Sequence, residues 1–380
     1  MGPEEIRARL RRERVARGWD VPDMARELRR AGHASAHDSL VRQVRRWERT
    51  GDISEQNRLL YGVALDMPYD DLFGGPTGDV LSPDDRERVQ LAVARPARVD
   101  AAVVDALGRV LAVQRRAEDS VGSALMIAPV HGQLETIEHL TRDARGPVRT
   151  PLVNVAAQWA QFAGWLYANT GKLAKGETLM RRAIEWAVEA GDPDLISETT
   201  SCLGNVAWMG GHVGATIGLS QAAIRNGRFP GQVAISSVQE ARGHAAAGEL
   251  DDMERLLDQA DEFAEREESR LDEAPPWLYY HVPGFYDLQR GYVYRLAGRT
   301  DPAYNDKAIG ALVAGRNRLP SGMQRSEWAG DFVYQLGRAH GQARQPDRVA
   351  ELRRELADLA AELDSDLLAT RAGELHRLQV

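Results

Sequence analysis

Cysteine is almost absent from this chain. The single Cys202 among 380 residues allows no internal disulfide, and no Cys or His cluster has structural-zinc spacing, so a reducing cytoplasm is the expected compartment and no metal is expected. Long apolar runs are also missing. No stretch approaches the roughly 20 residues that span a bilayer, and the opening MGPEEIRARLRRERVARG lacks the apolar centre of a secretory leader. Pro3 after Met1-Gly2, with no hydroxyl residue at the sixth position, argues against myristoylation. No membrane partner is therefore expected.

Catalytic motifs are equally scarce. NTGKLAKGET has no glycine five residues before Gly171 and carries Leu173 where Ser or Thr would hold magnesium, so it reads as an inter-helix turn and not a phosphate loop. Cys202 lies in the apolar TSCLGNVAWM without an evident base, as an inert core thiol would. Asp251-Asp252 opens a helix, where carboxylates are favourable without chemistry. Neither an enzyme nor a cofactor is expected.

What is present is charge, unevenly placed. The net charge is −8, yet Met1–Arg49 holds thirteen arginines against eight carboxylates, a basic head on an acidic body. An acidic total does not exclude a nucleic-acid partner, because the local field at the contact face decides binding.

The head reads as short helices. Ile6, Leu10, Val15 and Trp19 mark a first amphipathic segment, closed by Gly18; Asp20-Val21-Pro22 can start a second, with Met24, Ala25 and Leu28 on its apolar face. After the turn RRAGHASAH, Asp38 or Ser39 can cap a third helix on which Leu40, Val44 and Trp47 face inward. Arg42, Arg45, Arg46 and Arg49 are left outward. His33 and His37 are spaced like a metal pair, but they lie in the turn without a third ligand and read as solvated histidines. A fourth segment buries Leu59, Leu60 and Val63, MPYDDLFG forms a fifth near Gly74, and GGPTGD is a linker.

From Ser82 onward, where Ser82-Pro83-Asp84-Asp85 makes a helix start, strand-like alternation is absent and the chain reads as helix. The fold class is all-α. A loose repeat runs through the body, marked by Gly164, Gly204, Gly243, Gly291 and Gly337 at intervals of 39 to 48 residues. Each unit is a helix, a turn and a second helix. Units of this kind bury their apolar faces only by stacking, which predicts an α-solenoid whose concave face is made by the first helix of each pair. Val99–Arg145 adds an irregular pair at its start. The resulting division is 1–74, 75–97 as linker and connecting helix, and 98–380.

The head's helix order, with VRQVRRWERTG followed by SEQNRLLYGVALDMPYDDLFG, resembles the XRE family of phage-repressor-like helix-turn-helix regulators over residues 4–74. Gly51, one residue late, and Val21-Pro22, where the family often has Ser-Gln, are departures. The whole chain is similar to actinobacterial XRE regulators with degenerate tetratricopeptide-like (TPR-like) C-terminal domains, and more distantly to the peptide-sensing regulators of Gram-positive quorum sensing. QRRAEDSVGSALMIAPVHGQLETIEHL and AQFAGWLYANTGKLAKGETLMRRAIEWAVEAGD carry the closer similarity. The resemblance implies a five-helix operator-binding head with Trp47 in its core and Glu48 paired to a head arginine. It also implies a homodimer whose repeats receive a peptide or small-molecule effector.

A helix fits the major groove, where arginine can bond guanine bidentately while other arginines fix register on phosphates. By position, Val41, Arg42, Gln43 and Arg46 should meet base edges of double-stranded operator DNA, with Ser39, Arg45, Arg49 and Arg58 nearer its backbone. A merely solvated arginine face is the alternative. Offsets from the marker glycines put Gln158, Gln161, Trp165, Asn169, Asn205, Trp208, His244, Phe285, Tyr292, Arg295, Tyr334 and Arg338 on the concave face. Amides there can bond a peptide backbone, aromatics can hold apolar groups and arginine can take a carboxylate; inter-repeat packing is the alternative for Trp165, Trp208 and Phe285. PPWLYYHVPGFYDLQRGYVYR crowds aromatics around Pro275, Pro276 and Pro283, a loop able to line a pocket or a dimer contact, with packing between longer repeats as the alternative. The expected function is an effector-controlled, sequence-specific transcriptional regulator. The alternative is a TPR-type interaction scaffold with a minor or vestigial DNA-binding head.

Overall fold

Capping chemistry starts the helices where the sequence places it. Asp20 accepts a hydrogen bond from the Asp23 N–H at 2.7 Å while Asp23 accepts from the Asp20 N–H at 3.0 Å, a reciprocal cap that satisfies two orphan donors. Ser82 and Asp85 do the same further on, at 3.1 Å each way. The computed structural model describes residues 3–33, 35–53, 55–67, 72–73, 80–320 and 322–377. Among the described residues it contains eighteen α-helices, four short 3-10 segments and no strand. The protein is all-α.

The first four helices are α1 (Pro3–Ala16), α2 (Val21–Arg30), α3 (His37–Thr50) and α4 (Glu55–Leu65). They enclose a core of their own, with Ile6, Leu10, Met24, Leu28, Leu40, Val44, Trp47 and Tyr61 all but fully buried. Two expected apolar positions point outward instead: Val15 is 56% and Val63 40% exposed. In α1 the inward place goes to Arg14, whose Nε and Nη2 donate to the two Glu48 oxygens at 2.6 and 2.7 Å, with Nη1 on the Trp19 carbonyl at 2.7 Å. This is the head partner expected for Glu48, and a bidentate pair justifies burying a charge that an isolated guanidinium would not. Helix α3 begins one residue before the expected cap, after Ala36 and without a side-chain cap bond, and ends at Gly51 with φ +72, a left-handed turn suited to glycine. Of the expected fifth helix, Leu72 and Phe73 are helical and buried; the rest after Met67, the GGPTGD linker and the Leu59 side chain lie outside the described residues.

The body comprises α5 (Pro83–Ala94), α6 (Ala101–Val121), α7 (Ser123–Asp143), α8 (Arg149–Asn169), α9 (Leu173–Ala190), α10 (Pro193–Met209), α11 (Val213–Asn226), α12 (Pro230–Ala247), α13 (Leu250–Glu268), α14 (Phe285–Ala297), α15 (Tyr304–Arg318), α16 (Glu327–Gln342), α17 (Pro346–Glu362) and α18 (Asp366–Arg377). Helices α8, α10, α12, α14 and α16 each pack on the helix that follows and on the next member of their own row. α6 heads this inner row beside α8, and α16 returns to touch α6. Glu327 makes the closure: it accepts from the Ser123 N–H at 3.2 Å and from the Ser365 hydroxyl at 2.5 Å.

The marker glycines sit where helices approach too closely for a side chain. A Cβ on Gly291 would lie 2.6 Å from Leu312 Cγ, on Gly337 2.7 Å from Leu375 Cδ1, on Gly204 2.6 Å from Gln239 Nε2, and on Gly164 3.1 Å from the Gly176 carbonyl. These neighbours all belong to later helices. Gly243 differs, because its Cβ would meet Ile217 of the preceding α11 at 2.5 Å. Helix α12 is thus turned about its axis relative to the other helices that carry a marker glycine.

Candidate ligand cavity and nucleic-acid interface

The outer side of α3 is set by its buried side. With Leu40, Val44 and Trp47 inward, Arg42, Arg45, Arg46 and Arg49 are exposed, while Ser39 and Gln43 are half-buried. Val41, expected at base edges, is half-buried and packs against the head core. Arg58, expected near a DNA backbone, donates through Nε to the Ile53 carbonyl at 3.1 Å and lies over the Phe73 ring. Arg42, Arg45 and Arg49 make no ion pair with a described residue. Arg46 does: its Nη2 pairs with Asp272, between α13 and α14, and Asn57 Nδ2 donates to the same carboxylate at 2.7 Å.

His33 corrects the reading of a solvated turn. It is 2% exposed, its ring centroid lies 6.2 Å from that of Trp47, and its Nδ1 accepts from the Ser35 N–H at 3.3 Å. Burial pushes its pKa down to about 4, against the opposing pull of Asn57 and Asp272. His37 is half-buried at the start of α3.

The inner row lines a cavity of about 630 Å³, a size suited to a small-molecule ligand. Of the concave-face residues expected from the sequence, Gln161, Trp165, Asn169, Asn205, Trp208, Phe285, Tyr292, Arg295, Tyr334 and Arg338 line it. Gln158 does not; it is buried and donates to Asn154 at 2.9 Å. His244 does not either, and bonds Glu249 at 2.6 Å. The turn of α12 explains His244, since its inward place goes to Arg242, one residue before the marker glycine. The same offset rule applied two residues earlier would have found it.

Charge is segregated along the cavity. Toward one end, α6 contributes Arg115, Glu118 and Asp119, and α10 contributes Glu198 and Cys202. Burial raises the Glu118 carboxyl to about 8, with Asp119 adding to the effect, and raises Asp119 itself to about 7. Glu198 is also pushed up by burial, and the Cys202 thiol is raised by burial and then by Glu198, which makes it a poor nucleophile. Toward the other end lie Arg242, Arg295, Arg299 and Arg338 around Tyr292 and Tyr334. Arg295 is held down to about 10, first by burial and then by the repulsion of Arg299 and Arg338.

The segment between α13 and α14 joins the two candidate sites. On one side Leu271 packs on the head core, Asp272 holds Arg46, and Pro283 abuts Gly32, where a Cβ would lie 2.7 Å from its Cγ. On the other side Trp277, Tyr279 and Tyr280 line the cavity. Tyr279 Oη donates to the Arg115 carbonyl at 3.2 Å. A buried cluster stiffens the segment: Glu267 accepts from Tyr286 Oη at 2.6 Å and bonds His281 Nδ1 at 2.9 Å.

The sequence matches no protein-family model and no curated protein. No described helix is long and apolar enough to cross a membrane.

Proposed function

We propose that the chain is a sequence-specific DNA-binding transcriptional regulator, with α2 and α3 as a helix-turn-helix and the repeated helix pairs as a ligand-sensing solenoid. The observation that carries this reading is the segment 271–283, which grips an arginine of the exposed α3 face with Asp272 and lines the cavity with Tyr279 and Tyr280. A ligand filling the cavity shifts this segment and alters the availability of Arg46. The protein works as a homodimer in this reading, because two heads must meet half-sites about 34 Å or a multiple apart.

Mobility shift of the protein on its own upstream DNA, across a salt series and against a scrambled duplex, tests the proposal. Specific, salt-sensitive binding is expected, with Arg42→Ala and Arg46→Ala each losing about 1–3 kcal/mol. Binding that is equal on scrambled DNA, or untouched by both substitutions, would leave the repeats as an interaction scaffold.

A further inference from the structure

Three of the cavity's arginines, Arg115, Arg242 and Arg295, are buried without a carboxylate at ion-pair distance among the described residues, and two of them, Arg242 and Arg295, share the end around Tyr292. Arg242 is 8% and Arg295 3% exposed. Arg242 Nη2 donates to Asn205 Oδ1 at 2.7 Å and to Gln239 Oε1 at 3.2 Å; Arg295 donates through Nε and Nη2 to Gln335 Oε1 at 3.1 and 2.7 Å. All these acceptors are neutral amides. Arg242 Nε and Arg295 Nη1 have no acceptor among the described residues.

The rest of this end adds positive charge. Arg299, Arg338 and Arg371 also line it, against one lining carboxylate at this end, Asp331, which lies 3.5 Å from Arg371 and accepts from Gln335 Nε2 at 3.2 Å. Both buried guanidiniums flank one ring, with Arg242 at 5.5 Å and Arg295 at 5.1 Å from the Tyr292 centroid. That attraction acts through the ring face and leaves the free N–H edges unsatisfied. A buried charge answered only by amides is costly, and the rigid guanidinium fork matches a planar anion best.

Resting on the reading of this cavity as a ligand site, we infer that its ligand is a carboxylic acid with an apolar or aromatic body. Its carboxylate sits against the guanidiniums of Arg242 and Arg295 where they line the cavity beside Tyr292, and its body lies toward Trp165, Phe285 and Trp328. The same chemistry is offered by a free small acid or by the C-terminus of a short peptide.

The test uses the full chain and two matched pairs of probes: 4-phenylbutyrate with 4-phenylbutyramide, and N-acetyl-Leu-Phe as free acid and as C-terminal amide. Calorimetric titration should show at least one acid binding about tenfold or more tighter than its amide, the scale of a charge-assisted bond over a neutral one. The preferred pair identifies the source. Arg295→Gln and Arg242→Gln should each erase the preference for acid while leaving amide binding in place, and the partly exposed Arg338→Gln should weaken it if either buried variant misfolds. Amides that bind as tightly as acids, or a preference that survives in folded variants, would overturn the assignment while keeping the cavity as a ligand site. No binding by any of the four probes would remove both. Acid binding that leaves DNA mobility unchanged would keep the carboxylate site and remove the regulatory reading.

Discussion

Arg46 of the exposed α3 face and Asp272 of the cavity-lining segment form an ion pair across 226 residues of chain. The arginine is 45% and the aspartate 24% exposed, so the pair is worth at most about 1 kcal/mol. A contact this weak suits a release mechanism, since modest ligand energy can break it. Asp272→Ala should therefore raise affinity for upstream DNA by up to about fivefold, read by fluorescence anisotropy. Glu273→Ala, which removes only a local partner of Arg270, should not. Equal affinities for wild type and Asp272→Ala would mean that docking does not withhold Arg46.

The Arg14–Glu48 pair should behave very differently. Both side chains are about nine-tenths buried, and deleting one partner strands the other charge at a cost of about 3–5 kcal/mol. Arg14→Ala or Glu48→Ala should unfold the head selectively, seen as hydrogen exchange in residues 6–65 with the body still protected. Replacing both by leucine should recover most of the loss.

Acidity should move head and body in opposite directions. The Glu118 carboxyl, raised to about 8, faces Asp119, Ser123 and Glu327, and the Asp119 carboxyl, raised to about 7, faces Tyr279 and Trp328; both hold protons that the unfolded chain releases from about pH 4 upward. Their contribution is complete at low pH and is lost as pH rises through about 8, on the order of a few kcal/mol. His33, lowered to about 4, contributes above its unfolded value, near 6.5, and is lost as pH falls through about 4. Urea midpoints from pH 5 to 8 should fall for the body and rise for the head. Glu118→Gln should flatten the body's slope; an unchanged slope would place the titration elsewhere.

Glycines in the inner and outer helices should separate cleanly. Gly291→Ala forces a Cβ to within 2.9 Å of the Leu312 backbone nitrogen, which cannot swing aside, and should cost about 1–3 kcal/mol. At Gly310, an exposed position in α15 with open space around a Cβ, alanine should add about 0.4–1 kcal/mol of stability. Thermal unfolding of the two variants distinguishes close approach from mere repeat signature.

Much of the cavity wall was legible because the repeat puts equivalent residues on equivalent faces. The rule failed at His244, where α12 is turned toward α11, and it passed over Arg115, Glu118 and Asp119, whose irregular helix lacks a marker glycine. Hydrophobic spacing placed Val15 and Val63 inward, yet both are exposed. An amphipathic period cannot register that Arg14 gains a buried partner from another helix.

Local chemistry determined the all-helical character, the caps at Asp20 and Ser82, and the outward arginines of α3, because each depends on neighbours within a turn or two of helix. Tertiary structure decided which of those arginines is tied to Asp272, that His33 is buried, that α16 closes back on α6, and that Arg242 and Arg295 converge on Tyr292. These relationships join residues tens to hundreds of positions apart. They follow from how helices rotate and stack, which no single segment encodes.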